Sequence, residues 1–147
     1  MFLIVVATIG SNTLDVFSQQ EDGNEQQQES SNSSIVLTAK LIDDEYRWID
    51  SNDNINPTLN MTSGVDNQIT IKSLEGDSEE HEITIEGISA AGGKGEELIA
   101  SDEIEDGSST AINFNTADVQ DDISNYQSLE YYCEYHPDTM RGKIQIK

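Results

Sequence analysis

Cys133, His136 and Met140 fall within eight residues near the C-terminus, in the segment YYCEYHPDTMRGKIQIK. A thiolate is a soft ligand, either ring nitrogen of a histidine can bind metal, and a thioether is a weaker donor. Two imidazoles, one thiolate and a distant methionine make up the trigonal blue-copper set. The chain has only two histidines, so the second imidazole must be His81. In HEITIEG, His81 shares a strand face with Ile83 and Ile85, so period-two alternation predicts it inward, near a strand end. Cys133 is the only cysteine, which excludes an internal disulfide. A free thiol in an oxidising compartment is a liability unless something occupies it.

Zinc competes for the same donors, but it favours a strong tetrahedral fourth ligand over a thioether. Glu134 alternates to the strand face opposite Cys133, so copper is the better match. A Ser-His-Asp hydrolase would have to draw on the same two histidines, and no Gly-rich loop follows a strand to open a phosphate-binding helix. The carboxylates are spread along the chain rather than grouped as a calcium loop requires. They read as a solvated surface.

The elements that must position these donors are short and alternating. Ile35, Leu37, Ala39 and Leu41 share one face of a strand, followed by Glu45-Tyr46-Arg47-Trp48-Ile49. Ile69 with Ile71, Ile83 with Ile85, Ile112 with Phe114, Leu129 with Tyr131 and Cys133, and Ile144 with Ile146 repeat the pattern. Seven or eight strands separated by Gly, Asn, Asp and Ser turns predict an all-β sandwich or small barrel. A short helix is predicted over 116–126, capped by Thr116 with Val119, Ile123 and Tyr126 on one face. One domain is expected, over 35–147.

The 147 residues hold 29 acids against 7 bases, a formal charge of −22. Such acidity excludes nucleic acid as an ordinary partner, because phosphate binding needs clustered Lys and Arg. An anionic membrane repels it for the same reason. The apolar run FLIVVATI at 2–9 is far shorter than the roughly 20 residues of a spanning helix. It fits the core of a secretory signal over 1–18, with a small-residue cleavage site at 16–18. Residues 19–34 carry almost no apolar side chain and read as a disordered tether. Export to a periplasmic, pseudoperiplasmic or extracellular space is therefore expected, with membrane attachment only through an uncleaved N-terminus.

The segment 131–147 resembles the closing pattern of the cupredoxins, the type 1 blue copper proteins of the plastocyanin, amicyanin and pseudoazurin kind. That pattern runs aromatic, Cys, two residues, His, short loop, Met, Gly, final strand; 67–87 resembles the strand pair that ends in the first histidine ligand. The resemblance covers roughly 34–147 and implies a Greek-key β-sandwich holding one copper. His81, Cys133 and His136 would then be the equatorial ligands and Met140 the axial one. Tyr132 resembles the aromatic beside the ligand cysteine through which some members are thought to pass electrons. Two departures stand out. The loop between His136 and Met140 holds three residues where members more often have two or four, which leaves an axial thioether and an open fourth position as alternatives. Glu82 follows His81 where several members carry Asn.

The function implied is single-electron transfer between redox partner proteins by a monomer, the acidity matching a partner with a basic docking patch. An open position would instead suit an enzyme acting on nitric oxide or nitrite, and an exchangeable site would suit copper storage or delivery. Three of the seven bases, Arg141, Lys143 and Lys147, lie in the last seven residues, so the charge around the proposed site is mixed.

Overall fold

The protein is described by a computed structural model over residues 33–91, 95–119 and 124–147. The signal expected at 1–18 and nearly all of the tether at 19–34 lie outside these residues. The boundary at 34 moves slightly, because Ser33 and Ser34 already belong to the first strand.

Strand β1 (Ser33–Ile42) turns back into β2 (Glu45–Ile49) through Asp43 and Asp44, with φ of 51° and 65°. A two-residue hairpin loop with positive φ at both positions matches strand twist, and Asp tolerates that region better than most residues. The chain continues through β3 (Leu59–Met61), β4 (Asp66–Lys72), β5 (Thr84–Ser89), β6 (Glu96–Ala100), β7 (Ser109–Asn115), β8 (Tyr126–Tyr132) and β9 (Arg141–Ile146). One sheet has the order β2-β1-β4-β7 and the other β3-β9-β8-β5-β6. The pairs β1–β4 and β3–β9 are parallel and the remaining pairs antiparallel. The fold is the expected all-β sandwich.

Alternating positions bring Leu37, Ala39, Ile69 and Ile71 of the first sheet into the core, where they cluster with Ile85, Leu129 and Tyr131 of the second. Burying such side chains contributes about 1.5–3 kcal/mol each before entropy is charged against it. Leu41, expected on the same face as Leu37, is exposed beside the hairpin turn.

Three expectations are corrected. Among the described residues there are nine strands rather than seven or eight, because β3 is too short to carry a period and β6, EELIA, does not alternate. No helix runs through the described part of 116–126. Thr116 is buried and its hydroxyl accepts from the Gly64 amide at 2.8 Å instead of capping a helix. Asn115 accepts from the Ala117 amide to close a turn, and Tyr126 already pairs with Ser89 as the start of β8. Finally, the acids are not all solvated, for Glu82 and Glu86 are buried. No helix among the described residues is long and apolar enough to cross a membrane.

Candidate metal centre

The second sheet brings the C-terminal donors together. Its register pairs Tyr132 at the end of β8 with Arg141 at the start of β9, so Cys133 and Met140 are the two ends of one tight connection. The Cys133 amide donates to the Met140 carbonyl at 2.9 Å. Inside the connection, the His136 amide donates to the Cys133 carbonyl at 3.2 Å. The Thr139 and Met140 amides donate to the His136 carbonyl at 3.2 and 2.9 Å.

His81 arrives from elsewhere. It precedes β5 by three residues and is fixed by a two-way bridge, its amide donating to the Ile104 carbonyl at 2.9 Å and its carbonyl accepting from the Ile104 amide at 2.8 Å. Because β5 pairs Thr84 with Tyr132, that bridge sets His81 beside the end of β8. One ligand atom from each of His81, Cys133 and His136 lies within 4.8 Å of the others. Cys133 Sγ is 3.8 Å from His136 Nδ1, and the two imidazole centroids are 5.1 Å apart. His81 and Cys133 are fully buried, and His136 is only half-buried. Met140 is fully buried at the end of the connection.

The His81 ring is held by groups that sequence reasoning did not assign. Asp77, itself almost buried, accepts from Nε2 at 3.0 Å. The other ring nitrogen, Nδ1, is buried with no hydrogen-bond partner among the described residues. A buried polar atom is nearly always satisfied, so an unpartnered nitrogen on a ring grouped with a thiol and a second imidazole fits a metal ligand. Tyr46 of β2 donates to the other Asp77 oxygen at 2.7 Å. Its ring lies 4.8 Å from both imidazole centroids, and Trp48 lies 6.1 Å from His81. The only signal for Asp77 was its place four residues before His81; Tyr46 and Trp48 read as ordinary strand residues.

The electrostatics of the metal-free site differ from donor to donor. Burial outweighs the hydrogen bonds from the Glu82, Tyr135 and His136 amides and holds the Cys133 thiol above its usual range, so a metal would have to displace its proton. Burial, and then the neighbouring His81, push His136 down, which favours its neutral, ligating form. Burial raises Asp77, but hydrogen bonds from Tyr46, the Glu79 amide and His81 outweigh it and keep the carboxyl below its usual range. The same Asp77 bond is the main reason Tyr46 is pushed up to about 12. Among the described residues no carboxylate joins the three donors. Glu82, where relatives of the resembled family carry Asn, is turned to the Thr84 hydroxyl at 3.0 Å and held neutral more readily by burial.

No protein-family model matches the sequence, and no curated protein matches it. Solved structures do. A rusticyanin variant superposes with a TM-score of 0.56 at 16% identity, covering 78% of this chain and 76% of its own. Reduced rusticyanin gives 0.54 at 16%, covering 78% of each chain. Rusticyanin from Thiobacillus ferrooxidans gives 0.53 at 15%, covering 78% and 76%. At such identities the likeness is one of fold.

Proposed function

Since this chain has the cupredoxin fold, we propose that it is a mononuclear copper protein carrying single electrons between redox partners. One observation carries the reading: a thiol, a buried imidazole with an unpartnered Nδ1, and a half-buried imidazole converge within 4.8 Å. Rusticyanin, whose fold it shares, is described as a copper protein. Copper bound there supplies a one-electron couple.

The chain's own residues supply the rest. Cys133 and His136 sit on one tight connection between paired strands, and His81 is braced by Ile104 and Asp77, so the donors need little rearrangement when the charge at the site changes. Burial of Cys133 and His81 excludes water from two donors, and the half-buried His136 gives the site an edge at the surface. A partner would dock there. Met140 would supply a thioether, a weaker fourth donor. The charge of −22 suits a basic partner, so the docking rate should fall as salt rises; a rate unchanged between low and high ionic strength removes the steering part. Export, read from residues 1–18, belongs to the same proposal, and the N-terminal residue of the mature protein tests it.

The test of the whole is the visible spectrum after adding Cu(II) to the full chain. The expected result is a strong thiolate-to-copper band that disappears in Cys133→Ala. A chain that takes up Cu(II) without such a band discards the reading.

A further inference from the structure

The three-residue stretch between His136 and Met140 is gripped from outside the connection. Arg47 of β2 donates through Nη1 to the Thr139 carbonyl at 2.8 Å, and the Asn56 side-chain amide donates to the same oxygen at 2.8 Å. At the other end, Arg141 donates through Nε to the Pro137 carbonyl at 3.2 Å. These are the only two arginines in the sequence. Both are themselves anchored by carboxylates, Arg47 by Glu45 and Arg141 by Glu86 and Glu130. A guanidinium has a rigid fork of donors that can serve a carboxylate and a carbonyl together.

Asn56 is equally constrained. Its backbone φ is 44°, its amide donates to the Trp48 carbonyl at 2.7 Å, and its Oδ1 accepts from the Trp48 amide at 3.0 Å. With Oδ1 already taken by β2, the side-chain NH2 can only face Thr139. The grip therefore ties the last residue before Met140 to the first sheet, across 83 and 92 positions of sequence.

We infer that Arg47, Asn56 and Arg141 are positioning residues for the donor loop, with Arg47 and Asn56 linking it to the opposite sheet and fixing where Met140 meets the site. This rests on the copper reading only for its consequence at the metal; the clamp itself is a property of the metal-free chain. Weakening it at Arg47 or Asn56 should free the loop locally without loosening the core.

The test is amide hydrogen exchange of the full metal-free chain in Asn56→Asp and Arg47→Met. Asn56→Asp keeps the acceptor for Trp48 and the tolerance of positive φ, and removes the donor to Thr139. The Thr139 and Met140 amides should exchange about tenfold faster in each variant, the effect of losing one hydrogen bond. The Ile69 and Ile71 amides should stay within about twofold, and Arg47→Lys, which keeps a donor, should fall between. The paramagnetic-resonance spectrum of the Cu(II) form should change in the same order. Loop amides at the wild-type rate, or core amides that accelerate equally, overturn the inference. If Asn56→Asp does not fold, Arg47→Met decides alone. A wild-type chain lacking the thiolate-to-copper band refutes the copper reading, and the exchange rates still decide the clamp.

Discussion

Asp77 and His81 are joined by a 3.0 Å hydrogen bond at the Nε2 position, in a pocket where both side chains are almost fully buried. The bond occupies Nε2 and leaves Nδ1 without a hydrogen-bond partner among the described residues, on a ring grouped with Cys133 and His136. A carboxylate behind a ligating histidine fixes both the tautomer and the ring orientation.

Replacing Asp77 by Asn should therefore weaken metal binding by about 10–100-fold while leaving the donor atoms in place. Competition with a chelator of known affinity measures this. An affinity equal to wild type would show that the Ile104 bridge alone orients the ring.

Met140 is fully buried, so its packing and its sulfur can be separated. Met140→Ala should cost about 2–5 kcal/mol of stability, and the volume-conserving Met140→Leu under about 1.5 kcal/mol. If the sulfur also reaches copper, Met140→Leu should move the reduction potential and the visible spectrum while the urea midpoint barely changes. A spectrum indifferent to Met140→Leu would make the residue core filler only.

Glu86 is nearly buried and is held by Arg141, whose guanidinium also lies 4.7 Å over the Tyr132 ring. Arg141→Met leaves that carboxylate without its main partner and should cost about 2 kcal/mol, less than for a fully buried pair because the arginine is a third exposed. Adding Glu86→Gln should restore part of the loss. Denaturant unfolding of the two single variants and the double one gives the coupling; additive losses would mean the pair does not interact.

Asp50 organises the turn after β2: its carboxylate accepts from the Asn52 and Asn54 amides and from the Asn54 side chain. The Asn54 side chain first, then the Asn54 and Asn52 amides, hold its carboxyl below the ordinary value. A depressed folded value means that the contribution is complete above the unfolded value, near pH 4, and is lost as pH falls through the folded one. The stability difference between wild type and Asp50→Asn should accordingly shrink as pH drops below about 4. Urea midpoints at pH 7 and pH 3 check it, and a constant difference would refute the assignment.

Much of this was legible in the residues alone. Alternation exposed most of the strands, because one buried sheet face imposes period two on Ile69 and Ile71 or Leu129 and Tyr131. Cys133, His136 and Met140 could be grouped because their spacing suits a single short connection between two strands. His81 entered by scarcity, there being no other histidine. What carries no period stayed hidden, including the three-residue β3, the uniform β6, and the turn that replaces a helix once Thr116 is claimed by Gly64.

The sequence by itself thus determined the kind of donors and the class of fold, since both follow from residue type and short-range spacing. Only the tertiary structure decided what surrounds the donors. Tyr46 meets Asp77 across 31 positions, Arg47 meets Thr139 across 92, and Arg141 reaches Glu86 across 55. Such contacts depend on strand order and sheet packing, which local pattern does not encode. One of them also explains why Glu86 is buried in so acidic a chain, since Arg141 holds it.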